Sequence, residues 1–396
     1  MVLNVNEFRY INPAQRILLG PGPSEVPPRV LQSMAAPCVG HLDPYFLATM
    51  DETQHLLRFL FQTENALTIS VPGTGTAGME ACLVNMLEPG DEAVICVHGA
   101  FGARMCEMVE RIGGKLIRVD QQWGKSTDPE AVRKAVKGRG PKLLAVVHGE
   151  TSTGVLQPLQ DLSAIAREAG ALFMVDMVTS LGGMDIALDR EGIDVAYSGT
   201  QKCISCPPGL APISFNDKAM KVLRGRKTPV LSWYLDMSLV ENYWGPARKY
   251  HHTAPINMVY ALRESLRIIA DEGLEPRFAR HKLNHRALVA GVEAMGLKML
   301  VPEAERLPTL NAITIPEGVD DLKVRKALLE EFGIEIGGGL GALAGKIWRV
   351  GLMGHSSTKR NVFIFLAAMQ SILKAEGAKI KNGAIEAADA VYKKVS

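Results

Sequence analysis

The 396-residue chain has no apolar run long enough to cross a bilayer: its longest, such as VFIFLAAM at 362–369, fall far short of the ~20 residues a spanning helix needs. It has no excess of either charge. Forty-four Lys and Arg against 42 Asp and Glu leave +2, which gives no global reason to bind nucleic acid or an anionic membrane. Cysteine is sparse: six are scattered at 38, 82, 96, 106, 203 and 206, mostly within apolar runs, as expected of reduced, buried thiols and not of a disulfide scaffold. MVLNVNEFRYINPAQR lacks the continuous apolar core of a secretory signal, and KKVS matches no retention or peroxisomal address, so the expectation is a soluble cytoplasmic protein. Internal repeats and low-complexity linkers are also missing. What remains, 47% hydrophobic and 22% charged residues, is ordinary globular material.

Short β-rich runs alternate with helical patterns. ALTISV (66–71) precedes TAGMEACLVNML, EAVICV (92–97) precedes FGARMCEMVERIG, and KLLAVVH (142–148) precedes PLQDLSAIAREAG; ALFMVDM (171–177) and DVAYSG (194–199) follow. Continuous apolar strands separated by amphipathic helices predict an α/β fold, a mostly parallel sheet covered by helices on both faces. The active site of such a sheet lies beyond the carboxyl ends of its strands. From Asn257 the pattern turns to long amphipathic helix, then to strand signals in TLNAITI and IWRVGLM, and ends in helix. This predicts a large domain over 19–275, a smaller C-terminal α+β domain over 276–396, and an N-terminal arm over 1–18.

VPGTGTAGMEA holds Gly73, Gly75 and Gly78 in a literal G-x-G-x-x-G between strand and helix. A dinucleotide site would also need an acidic residue at the end of the next strand, about 20 positions on, to hold the ribose. That strand runs out in Cys96-Val97-His98-Gly99, with Asp91 and Glu92 before it, so a nicotinamide oxidoreductase fails this test. The loop keeps the physics of a phosphate cup: glycines that admit backbone N–H groups, the hydroxyls of Thr74 and Thr76, and a helix N-terminus.

LFMVDMVTSLGG ends an apolar strand on Asp176, and a carboxylate buried there needs a partner. Lys202 lies 26 residues on, in YSGTQKCISCPPG. Phosphate cup, strand-end aspartate and strand-end lysine are the parts needed to hold pyridoxal phosphate: the lysine bonds its aldehyde and the aspartate pairs with its pyridinium nitrogen.

Eight segments carry a resemblance through most of the chain: LLGPGPSEVPPRVL, VGHLDPYF, GTGTAGMEACLVNMLEPGD, VHGETSTG, VDMVTSLGG, YSGTQKCISCPPG, YHHTAPINMVYALRESL and GGGLGALAGKIWRVGLMG. The sequence resembles the class V, fold-type-I aminotransferases, and among them the alanine–glyoxylate and serine–glyoxylate aminotransferases. The resemblance implies pyridoxal phosphate as cofactor, with Lys202 bonded to it and Asp176 on its ring nitrogen. Thr74, Gly75, Thr76 and Gln201 match phosphate-loop positions, Thr151 the partner of the phenolic oxygen, and Phe101 and Val178 the two faces of the ring. Tyr250 and Thr253 match residues that reach the phosphate from the neighbouring subunit, which implies a homodimer with shared active sites. Arg349 matches the substrate-carboxylate arginine, and Gly22 and His41 lie on segments that line the substrate pocket. The implied reaction moves the amino group of alanine or serine to glyoxylate.

Other readings are weaker. Cys203 and Cys206 form a lone C-x-x-C that lacks two further zinc ligands and runs into Pro207-Pro208 instead of opening a helix, so no metal is expected. Cysteine desulfurases share the fold class, but they typically carry histidine before the lysine and a nucleophilic cysteine in the smaller domain. Here Gln201 precedes Lys202, and the C-terminal third has no cysteine. The neighbouring residues His251 and His252 point in different directions on any regular element and are read as packing near the cofactor entrance. The ureidoglycine–glyoxylate branch shares VHGETSTG but tends to carry glutamine where His41 stands, which tilts the choice toward alanine or serine.

Overall fold

The computed structural model describes residues 11–394. Seven strands form the main sheet, in the order Leu67–Pro72, Leu210–Phe215, Val195–Tyr197, Leu172–Asp176, Leu143–Val147, Glu92–Val97 and Lys115–Asp120. Every contact in it is parallel except the two made by Leu210–Phe215. The Leu143–Val147 and Leu172–Asp176 strands are buried at every position, as their unbroken apolar sequences require when helices cover both faces.

Two strands carry no clear signal in sequence. Lys115–Asp120 (KLIRVD) is an edge strand, half-exposed and charged, so it lacks an apolar run. Leu210–Phe215 contains Pro212, which ordinarily argues against an interior strand. The long helical pattern after Asn257 is two helices, Ile256–Glu272 and Leu274–Ala294. They break at Gly273 (φ 81°), because Pro276 cannot continue an α-helix from the turn before it.

One hydrophobic core lies around the large sheet and is closed by the Ile256–Glu272 helix. A second gathers Trp348, Val350, Phe365 and Leu366 around a four-stranded antiparallel sheet containing Leu310–Thr314 and Ile347–Gly351. Leu19 belongs to this second core, and the two-residue strand Ile17–Leu18 pairs with Ile334–Glu335. Residues 1–10 of the N-terminal arm lie outside the described residues. Among the described residues no helix is long and apolar enough to cross a membrane.

Candidate active site

Parallel strands put their carboxyl ends on one edge of the sheet, and there the structure opens a cleft of about 220 Å³. Nine residues singled out in the sequence line it: Thr74, Gly75, Thr76 and Gln201 on one side, Phe101, Thr151, Asp176, Val178 and Lys202 on the others. The helix Gly75–Met86 starts at the cleft wall with no side chain capping its first turn; Ala77 N and Gly78 N turn back to Thr74 O, which leaves the amides of Gly75 and Thr76 to an anion. Gln201 adds a buried Oε1 without a partner. Cup and uncapped helix fit the phosphate of pyridoxal phosphate, toward which Gln201 would turn its Nε2 donor and not this oxygen.

Asp176 is buried at the end of its strand. Its neighbour in register is Tyr197, whose hydroxyl donates to Asp176 Oδ2 at 2.5 Å, while the Val178 amide donates to Oδ1 at 2.8 Å. Burial pushes the carboxyl up to about 7, against the pull of these two donors. A carboxyl this close to gaining a proton is stabilised by a cation, and a protonated ring nitrogen supplies one. Lys202 is buried too, its Nζ donating to the Pro21 carbonyl, and a Cβ on Gly22 would stand 2.5 Å from Nζ. Burial, then the charge of Arg349, pushes the amine down to about 8, so a useful fraction is neutral and basic near physiological pH.

Arg349 comes from the second sheet. Its Nε donates to Gly338 O at 2.7 Å and its Nη1 to Thr151 O at 3.1 Å, which joins the smaller unit to the cleft wall. His41, Tyr250 and Thr253 are not brought into this chain's own cleft. The His41 ring lies 5.0 Å from that of Tyr250, and Tyr250 is 56% exposed.

Sequence reasoning missed four participants. Tyr197 was within reach, since it ends the strand paired with the one that ends in Asp176. Arg104 lies one helical turn after Phe101, with its guanidinium 4.8 Å from that ring's centroid and Nη1 3.2 Å from Thr76 Oγ1. Glu150 and Ser152 hold the start of the Ala100–Ile112 helix: Glu150 Oε2 accepts from Phe101 N at 3.1 Å and Ser152 Oγ from Ala100 N at 2.9 Å. A buried glutamate in a tight turn left no readable signal.

Cys203 and Cys206 are buried free thiols pushed upward by burial, Cys203 to about 11, so neither stands as a nucleophilic thiolate. His251 is stacked under Trp233, 4.5 Å between centroids, and pairs Nδ1 to Nδ1 with His252 at 2.8 Å. Among the described residues no group of three or more His, Cys, Asp or Glu is placed to hold a metal ion.

Fold and site together define a pyridoxal-phosphate-dependent enzyme of fold type I. Residues 17–362 match the aminotransferase class-V family, and the chain belongs to it; it is an aminotransferase, acting on amino and 2-oxo acids. It is 42% identical to the (S)-ureidoglycine–glyoxylate transaminase of Bacillus subtilis, with 95% of each chain covered. A crystal structure of the Bacillus subtilis ureidoglycine–glyoxylate aminotransferase superposes with a TM-score of 0.95, at 43% identity, covering 97% of this chain and all of that one. An alanine–glyoxylate aminotransferase from Nostoc sp. gives 0.91, at 49% identity over 94% of this chain and all of that one. The alanine–glyoxylate aminotransferase of Oryctolagus cuniculus is 40% identical, covering 91% of this chain and 93% of its own.

The raised value of Asp176 sets a pH-dependent result. In protein stripped of cofactor, the folded chain holds this proton up to about 7, whereas the unfolded chain releases it near 3.8. Stability contributed by the protonated carboxyl is therefore complete below pH 4 and is lost as pH rises to 7. Asp176→Asn should be more stable than the parent above pH 7, by an upper bound of about 4 kcal/mol, with the gap closing toward pH 4. Urea midpoints of the two apoproteins at pH 4.5 and 8 check this; equal midpoints at pH 8 refute it.

Proposed function

We propose that the enzyme transfers the amino group of a small L-amino acid, alanine or serine, to glyoxylate, giving glycine and a 2-oxo acid. The observation that supports this reading is a low-pKa lysine and a strand-end aspartate lining one cleft, with an arginine held behind its wall through the Thr151 carbonyl. Bound pyridoxal phosphate supplies an aldehyde that condenses with amines and a ring that accepts the electron pair left when a proton departs. Thr74, Gly75, Thr76 and Gln201 bind its phosphate, Thr151 its phenolic oxygen, and Phe101 and Val178 its two ring faces. Asp176 holds the proton on the ring nitrogen. Lys202 Nζ takes the substrate's α-proton and returns it on the other side of the transfer. Arg349 orients the carboxylate common to donor and acceptor, with Gly22 and His41 alongside.

The chain acts in this reading as a cytoplasmic homodimer with shared sites, Tyr250 and Thr253 serving the neighbouring cleft. Its units are the large domain 19–275, the small domain 276–396 and an arm, 1–18, at the dimer interface. The arm meets the small domain through Ile17–Leu18. Relatives with both names share this chain's length, so ureidoglycine is the second donor to test. His41 favours alanine or serine, because it stands where the ureidoglycine branch tends to carry glutamine. The experiment is a donor panel of alanine, serine and ureidoglycine, with glyoxylate and pyruvate as acceptors. Preference for ureidoglycine over both amino acids would overturn the donor assignment.

Arg349→Lys replaces a planar fork with a point charge that cannot make two parallel hydrogen bonds. KM for donor and acceptor should rise together, by about tenfold to a hundredfold, with a smaller change in kcat. If KM rose for the amino acid alone, glyoxylate would need a different carboxylate site. Arg104, the arginine that lines the cleft, is turned to Thr76 Oγ1 and the Phe101 ring on the phosphate side, so aspartate and glutamate are expected to be poor donors.

A further inference from the structure

The loop that carries Lys202 is held from three directions. From the N-terminal side, Ser24 N donates to Gln201 O at 2.8 Å and Ser24 Oγ to Lys202 O at 2.6 Å. From the Leu274–Ala294 helix, the buried Arg277 donates from Nη2 to Cys203 O at 2.5 Å and from Nε to Gly182 O at 2.7 Å. From the segment after the Arg349 strand, His355 N donates to Ser205 Oγ at 2.7 Å. Ser205 is buried and stands at φ 59°, a strained conformation for a residue with a side chain, held only because its surroundings dictate it. The fit leaves no slack, since a Cβ on Gly354 would fall 2.7 Å from Cys203 O and on top of Ser205 Oγ.

One carboxylate joins these holds. Glu272 ends the Ile256–Glu272 helix; its Oε2 accepts from Arg277 Nη1 at 2.6 Å and its Oε1 from Arg280 Nε at 2.6 Å. Arg280 then donates from Nη1 to Gly354 O at 3.0 Å and to Ser357 O at 2.6 Å. His281 Nε2 accepts from Gly354 N at 2.9 Å. Arg277 thus grips the lysine loop, Arg280 grips the segment that follows Arg349, and Glu272 holds both guanidinium groups. None of these groups lines the cleft.

We propose that Glu272 is a positioning residue that, through Arg277 and Arg280, locks the Lys202 loop to the segment following Arg349, so that the nitrogen and carboxylate ends of one substrate meet groups at a fixed separation. The kinetic half rests on the transaminase reading above; the structural half does not. Both guanidinium groups are already paired with Glu272 and with backbone carbonyls, so the value of the cluster lies in geometry. Orienting both ends of a substrate at once is where small displacements cost most in rate.

The test is amide hydrogen exchange on the cofactor-loaded enzyme, for the parent, Glu272→Gln and Arg280→Met. Exchange should rise by about tenfold or more in 203–206 and 354–358 together, while Leu172–Asp176 stays protected. In kinetics, Glu272→Gln should raise KM for donor and acceptor together, and its loss should fall short of multiplying with that of Arg349→Lys, because both disturb one spacing. Fully multiplicative losses, or faster exchange in one segment or neither, overturn the proposal. If Glu272→Gln loses protection everywhere, Arg280→Met decides by the same criteria; general loss in both variants overturns it, since the cluster would then be a folding element. Absence of turnover with every donor and acceptor would sink the transaminase reading and leave the exchange result intact.

Discussion

Lys202→Ala is expected to give a folded protein that has lost at least about four orders of magnitude in turnover, together with the visible absorbance of the bound cofactor. The lysine is the covalent anchor and the proton carrier at once, and no second amine lines the cleft. Its contribution to folding is small. Removing it leaves the Pro21 carbonyl without a partner, at about 1 kcal/mol, but also removes a buried ammonium. Burial sets that amine at about 8 in the folded chain against 10.5 when exposed. The destabilisation is complete below pH 8 and disappears as pH rises to 10.5, so at pH 7 the variant should melt no lower than the parent when both are stripped of cofactor. Absorbance, circular dichroism and turnover on one preparation check all three points. Turnover within tenfold of the parent would remove Lys202 from the centre of the chemistry.

The features legible in the sequence were those that a parallel sheet imposes locally. Apolar runs gave the strands, and their ends gave Asp176 and Lys202 as a pair, because charged groups at such ends are costly unless they work together. The glycine loop was legible once the missing ribose acid separated a phosphate cup from a dinucleotide site. Tyr197 was hidden because its role depends on register between Leu172–Asp176 and Val195–Tyr197, which neither strand encodes alone. Glu272 was hidden for a related reason. Its helix reads as continuous with the next, and only the break at Gly273 turns Glu272, Arg277 and Arg280 toward one another. Pattern reports what a residue does along its own element; contacts between elements distant in sequence need the fold.

Tyr250 and Thr253 are both exposed and absent from the cleft wall, and Leu231, Trp233 and Tyr234 are exposed on a nearby segment. Apolar groups gathered on a surface mark a face that another protein covers. If that partner is a second copy, each chain lends Tyr250 and Thr253 to the other's phosphate. A chain with Lys202→Ala then has a dead site but sound lent residues, and a chain with Tyr250→Phe and Thr253→Ala has the opposite defect. Each variant alone should be weak, the first for want of the lysine and the second through poor cofactor retention. In a mixed dimer one site joins a good lysine to good phosphate ligands, while the other carries both defects. Random pairing makes about half the dimers mixed, with one working site of two, so co-expression should recover roughly a quarter of parental activity. The assay uses saturating substrates and limiting cofactor, where retention governs the rate. Activity no higher than the average of the two variants would mean that each site is built from one chain, and that the exposed tyrosine serves some other surface.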